Sequence, residues 1–193
     1  MTTTDGERRP VSRPLTSGRL ERAALRYLER FAASAASLRR VLLARVDRSA
    51  REHGTDRAEG AAWVEALVAR YLASGLLDDA VYAEGKAASL RRRGASSRAI
   101  RQHLAARGVE ADTATAALRR TDERDGEDTG ENGAGGADSA DVAAARALAR
   151  RRRLGPYRPP DLRADHRARD LAALGRAGFD YQTARRVIDE EEE

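Results

Sequence analysis

The chain has 193 residues, a formal net charge of +5 and no cysteine, which excludes disulfides, cysteine-ligated metals and thiolate nucleophiles. Hydrophobic residues make up 41% but aromatics only 4%, and alanine buries little area. Several small helical cores suit that composition better than one large core.

Residues 1–15 are rich in Thr, Arg, Pro and Gly with little to bury, so a disordered tail is expected. The segment Met1 to Gly18 carries Arg8, Arg9 and Arg13 but no apolar run, unlike a signal peptide. No stretch is long and apolar enough for a membrane span, so a cytoplasmic protein is expected.

Helical periodicity begins at Leu20, with Leu20, Ala24, Tyr27, Leu28 and Phe31 on one face. Leu38, Leu42 and Val46 form a second stripe. His53-Gly54-Thr55-Asp56 stops that helix and offers an N-cap for a third, with Val64, Leu67, Val68, Tyr71 and Leu72. These helices define a first repeat over 16–75.

The second repeat spans 76–120. Asp78 or Asp79 caps a helix ending at Gly94, Ser96 or Ser97 caps one ending at Gly108, and a short helix closes near Leu118. Residues 121–140 then carry seven acids (Asp122, Glu123, Asp125, Glu127, Asp128, Glu131, Asp138) against Arg124, with frequent glycine. This composition predicts a flexible acidic linker. A third repeat over 141–193 breaks at Gly155 to Pro160, ends one helix at Gly178 and runs into an acidic tail. No period-2 alternation argues for a strand, so the predicted class is all-α.

Two helix ends repeat each other. Leu104-Ala105-Ala106-Arg107-Gly108-Val109 precedes Ala114, Ala117 and Leu118. Leu174-Gly175-Arg176-Ala177-Gly178-Phe179 precedes Ala184, Val187 and Ile188 at identical spacings. Each glycine falls at the left-handed C′ position of a Schellman motif, with an apolar pair across it: Leu104 with Val109, Leu174 with Phe179. Such periodicity marks a repeated supersecondary unit.

These residues carry a resemblance. Gly75-Leu76-Leu77-Asp78-Asp79-Ala80-Val81-Tyr82-Ala83, Arg91-Arg92-Arg93-Gly94, Ile100, Leu104 and Arg107-Gly108-Val109 resemble the core signature of the RecX family. Ala24-Leu25, Leu28, Ser37-Leu38-Arg39-Arg40 and Leu42 resemble its first repeat. The resemblance implies three tandem three-helix repeats in an elongated, curved molecule. It also implies a partner, the RecA recombinase filament, whose ATP hydrolysis, strand exchange and LexA-cleavage stimulation the protein would inhibit. The acidic segment is longer, and the 155–160 break richer in proline, than the family pattern. Repeats one and two are therefore expected to form one unit, with repeat three tethered.

No catalytic, cofactor or metal site is expected. Asp78 and Asp79 are read as structural caps, like Gly94, Gly108 and Gly178. His53, His103 and His166 have no metal-ligand spacing and read as helix-surface residues. No glycine-rich phosphate cradle or Gly-x-Ser-x-Gly elbow is present. The protein should not be an enzyme, and a monomer without a small-molecule substrate is expected.

Of 36 basic residues, only Lys86 is lysine. Biased base composition explains part of that, and cations also favour helix C-termini. One or two per end would suffice, yet Arg91, Arg92 and Arg93 run together, followed by Arg98 and Arg101, and Arg150, Arg151, Arg152 and Arg153 occupy the matching place in repeat three. With Arg39 and Arg40, these are the expected contacts to RecA or to DNA. DNA is expected to be bound weakly or through the filament. The alternative reading is a direct DNA-binding helical-repeat protein.

Overall fold

The computed structural model describes residues 13–129 and 136–190, and these are helical throughout apart from caps and short connections. Two compact units emerge, Met1–Leu77 and Asp78–Glu193.

The first unit holds α1 (Ser17–Leu28), α2 (Ala35–His53) and α3 (Arg57–Ala73). Each starts on a side-chain oxygen that takes an otherwise unpaired N–H: Thr16 from Arg19, Ser34 from Ser37 and Asp56 from Glu59. Leu20, Leu38, Leu42, Val46, Val64 and Val68 are almost wholly enclosed, each contributing roughly 1.5–3 kcal/mol of burial. Gly60 lets α3 approach α2 closely, since a Cβ there would sit 2.4 Å from Val46 Cγ1. Phe31, expected on the core stripe, lies beyond the end of α1 and is half exposed. The 3.6-residue period stops counting once the helix stops.

The second unit holds α4 (Asp79–Arg92), α5 (Ser97–Ala105), α6 (Ala111–Thr129), α7 (Gly136–Arg152), a 3₁₀ turn at Gly155–Tyr157, α8 (Pro160–Arg176) and α9 (Tyr181–Ile188). One core gathers Ala83, Ala87, Ile100, Leu104, Val109, Ala117 and Leu118. A second gathers Val142, Ala145, Leu148, Leu174, Phe179, Ala184 and Val187. The glycine stops form as their spacing requires. Val109 N–H donates to Leu104 O at 3.1 Å and Phe179 N–H to Leu174 O at 3.2 Å, with φ of 73° at Gly108 and 93° at Gly178. Asp78 caps α4, accepting from the N–H groups of Ala80 and Val81, while Asp79 is the first helical residue.

Two expectations are corrected here. The acidic segment is mostly helix: α6 runs on to Thr129 and α7 begins at Gly136, while residues 130–135 lie outside those described. Thr121 is buried and donates to Ala117 O, and Asp122 is only 8% exposed. Counting acids misled because the neutralising cation, Arg91, sits 31 residues upstream. The third helix group is also not a tethered appendage. It shares a unit with the second group, while the first group belongs to the other unit. Gly94, at the end of α4, touches α7 so closely that a Cβ would lie 2.9 Å from Ala144 O. Ser96 donates its hydroxyl to Ala177 O at the end of α8 (2.9 Å).

His103 is half-buried rather than a plain surface residue, with an enclosed Nε2. Burial, and then Lys86 and Arg107, lower its pKa. No described helix is long and apolar enough to cross a membrane.

Candidate functional site

The sequence-predicted arginines divide into two classes, those consumed by the fold and those left at its surface. Arg91 belongs to the fold, which corrects its assignment as a binding residue. Its side chain is 5% exposed and all five of its N–H donors are used. Nε and Nη2 donate to the two oxygens of Asp122, each at 2.9 Å. Nη1 donates to Asp141 Oδ1 at 2.5 Å and to Ala95 O at 3.0 Å, and Nη2 reaches Ser97 Oγ at 2.8 Å. Asp141 Oδ1 also accepts the Ser97 backbone N–H. Burial is the largest influence on Arg91 and lowers its pKa, but Asp122 and Asp141 together outweigh it, so the net shift is upward. The guanidinium is a permanent cation tying α4 to α6 and α7.

Arg39 is also engaged, donating from Nε to Glu65 at 2.8 Å from a partly exposed position. Such a pair contributes at most about 1 kcal/mol, so Arg39 can be redeployed cheaply. Arg40 is exposed and makes no ion pair among the described residues.

The other arginines of the second unit form the candidate surface. Arg92 and Arg93 end α4, Arg98 and Arg101 lie on the first turns of α5, and Arg150 to Arg153 end α7; all are exposed. The contact of Gly94 with Ala144 and Leu148 sets the end of α4 against the second half of α7, the helix that the Arg150 to Arg153 run ends. Arg150 lies over the Tyr157 ring at 5.5 Å. Arg153 alone among the described non-glycine residues has positive φ, 54°. It stands at the helix stop that Gly94 fills in the preceding group, where Leu154 N–H donates to Ala149 O as Ala95 N–H does to Leu90 O.

Arg158, just beyond, faces inward. It donates from Nε and Nη2 to buried Asp170, which also accepts the Gly155 N–H. The hydrogen bonds to Asp170 raise the pKa of Arg158. No group of acidic or histidine residues among those described is arranged to hold a metal.

Sequence reading passed over a second basic concavity, in the first unit, lined by Arg13, Arg19, Arg22, Arg26 and Arg45. The i, i+3, i+7 spacing of Arg19, Arg22 and Arg26 was legible as one face. The approach of α2 and of the residues before α1 was not.

Comparison with known proteins bears on this arrangement. A family profile described as "RecX, second three-helix domain" matches residues 78–118, which cover α4, α5 and the start of α6. "Regulatory protein RecX" of Myxococcus xanthus (strain DK1622) is 47% identical over 186 residues, covering 95% of this chain and 90% of that protein. "Regulatory protein RecX" of Agrobacterium fabrum (strain C58) is 34% identical over 112 residues, 58% of this chain and 51% of that protein. No solved structure matches. Similarity along nearly the whole length, together with the all-helical fold and its glycine-stopped helices, makes this chain a member of the RecX family of regulatory proteins.

Proposed function

We propose that the protein binds RecA–DNA filaments and restrains RecA: its ATP hydrolysis, its strand exchange and its coprotease activity toward LexA. It acts by binding rather than by catalysis. The exposed arginines at the ends of α4 and α7 and the start of α5 meet acidic recombinase surfaces or the phosphates of the filament's DNA.

One observation carries this reading. Arg153 holds a left-handed backbone that costs an L-residue roughly 1–2 kcal/mol, at a position equivalent to glycine in the preceding group. It is exposed and makes no ion pair among the described residues. The helix stop, closed by Leu154 N–H on Ala149 O, requires the left-handed backbone but not an arginine in it, where glycine would serve without strain; an exposed guanidinium kept at that cost points to a contact outside the fold.

The test is the DNA-dependent ATPase rate of the cognate RecA, titrated with this protein. A fall in rate well below equimolar ratio, with no turnover by the protein alone, is the expected result. An unchanged rate up to equimolar would overturn the proposal.

A further inference from the structure

We propose that Glu190 is an autoinhibitory latch: its carboxylate occupies the arginine face of α7 and restrains that face until an acidic surface of the recombinase displaces it. This regulation rests on the filament reading above.

Three elements meet where the latch closes. The last turn of α9 packs on the 3₁₀ turn, so closely that a Cβ on Gly155 would lie 2.9 Å from Ile188 Cα. Tyr157, in that turn, has Arg150 of α7 over its ring at 5.5 Å. Asp189 and Glu190 follow Ile188 directly, and each is held by an arginine of a different helix. Arg167 of α8 donates from Nε and Nη2 to the two oxygens of Asp189, each at 2.7 Å. Arg146 of α7 donates from Nε to both oxygens of Glu190, at 3.0 and 2.9 Å, and from Nη2 to Oε1.

The two acids do different work. Asp189 is the C-cap of α9, and its backbone N–H donates to Arg185 O. It belongs to the helix end. Glu190 lies beyond that cap and outside the helix. What it does is neutralise Arg146, which stands four residues before Arg150 and so on the same face of α7. Arg150, Arg151, Arg152 and Arg153 are exposed and make no ion pair among the described residues. Glu191, Glu192 and Glu193 follow Glu190 in sequence, so further negative charge is tethered to it.

The pair is built to open. Its side chains are 41% and 27% exposed, so water and salt screen it and it adds little to stability. The buried Arg91 pair, at 5% and 8%, is the opposite case. The chemistry also fits a competitor. A carboxylate forked by a guanidinium is the contact that an Asp or Glu of a protein partner would make with the same arginine. A contact that is weak and resembles the partner's lowers apparent affinity by the fraction of molecules it keeps closed.

The full chain is compared with Glu190→Gln, which keeps the shape and removes the charge. The control is Asp165→Asn, an equal change of charge at an exposed position of α8. Each is titrated twice, for inhibition of the cognate RecA's DNA-dependent ATPase and, without recombinase, for binding to labelled polyglutamate by fluorescence anisotropy. Glu190→Gln should lower both the half-inhibitory concentration and the polyglutamate Kd by about three- to fivefold, the effect of one screened pair. Asp165→Asn should leave both close to the parent. The melting temperature of Glu190→Gln should stay within about 2–4 °C of the parent. Equal gains in the two variants would overturn the latch. So would weaker inhibition with a larger fall in melting temperature, which would make Glu190 a structural brace. A gain on oligothymidylate in place of polyglutamate would overturn it too, by making nucleic acid the ligand that Glu190 competes with. A parent that leaves RecA ATPase untouched, while Glu190→Gln tightens polyglutamate binding, would sink the filament reading and leave the latch standing. Inhibition by the parent with no gain from Glu190→Gln in either titration would sink the latch alone.

Discussion

Replacing Arg91 with methionine keeps the volume and helix propensity of the position but removes its charge and all five donors. Asp122 and Asp141, with side chains 8% and 15% exposed, would then face each other across an apolar gap with no cation between them. Removing one partner of a buried ion pair typically costs 3–5 kcal/mol, because the remaining charge is stranded. The upper half of that range applies here, since two carboxylates are stranded rather than one. For a unit of this size, at about 4 °C per kcal/mol, the second unit should melt roughly 16–20 °C lower. Thermal unfolding of the full chain followed by circular dichroism would read this. The loss should fall on the second unit, because α4, α6 and α7 all belong to it. Adding Asp122→Asn and Asp141→Asn to Arg91→Met should recover a large part of the loss by neutralising the stranded charges. A drop of less than about 3 °C for Arg91→Met would refute the argument that this guanidinium is consumed by the fold. It would also return Arg91 to the candidate surface.

Three further outcomes are expected. Gly54→Ala and Gly94→Ala share the left-handed backbone penalty of about 1 kcal/mol; only Gly94 also clashes, with Ala144 O at 2.9 Å and Leu148 N at 3.0 Å. Urea unfolding should therefore show Gly94→Ala to be worse by about 1–3 kcal/mol, and equal losses would contradict the close α4–α7 approach. Arg153→Gly should stabilise the protein by about 1 kcal/mol in the same assay while weakening its effect on RecA ATPase. Stabilisation with full inhibition would remove Arg153 from the interface. Finally, Asp180 caps α9, and its pKa is lowered chiefly by the Thr183 backbone N–H it accepts. A depressed carboxylate stabilises fully at neutral pH; its contribution fades as pH falls toward the ordinary value of 3.8 and is lost below the depressed one. Asp180→Asn should be less stable than the parent at pH 7 and lose less stability on acidification, so that the two converge at low pH. Identical pH profiles of melting temperature would exclude Asp180 from the acid response.

Helix stops and starts were legible in the sequence because their chemistry is local. Asp78 needs only the N–H groups two and three residues on, and Gly108 and Gly178 need only carbonyls three residues back and apolar neighbours on either side. The all-helical class and the two matching Schellman stops followed from such short-range rules. The family resemblance rested on the same residues. What lay beyond about five residues was decided by packing. Arg91 and Arg92 are neighbours in one basic run, yet the turn of the helix sends the first inward, to partners 31 and 50 residues away, and the second to the surface. Asp122 reads as part of a solvated acidic spacer, and Asp141 as the start of the third repeat, until α6 and α7 bring them to one guanidinium. Arg13, Arg22 and Arg45 form a groove only because a hydrogen bond from Leu15 to Ser49 carries the approach segment across α2. Whether a charge becomes part of the core or part of a binding surface depends on which distant helix arrives beside it, and only the tertiary structure settles that.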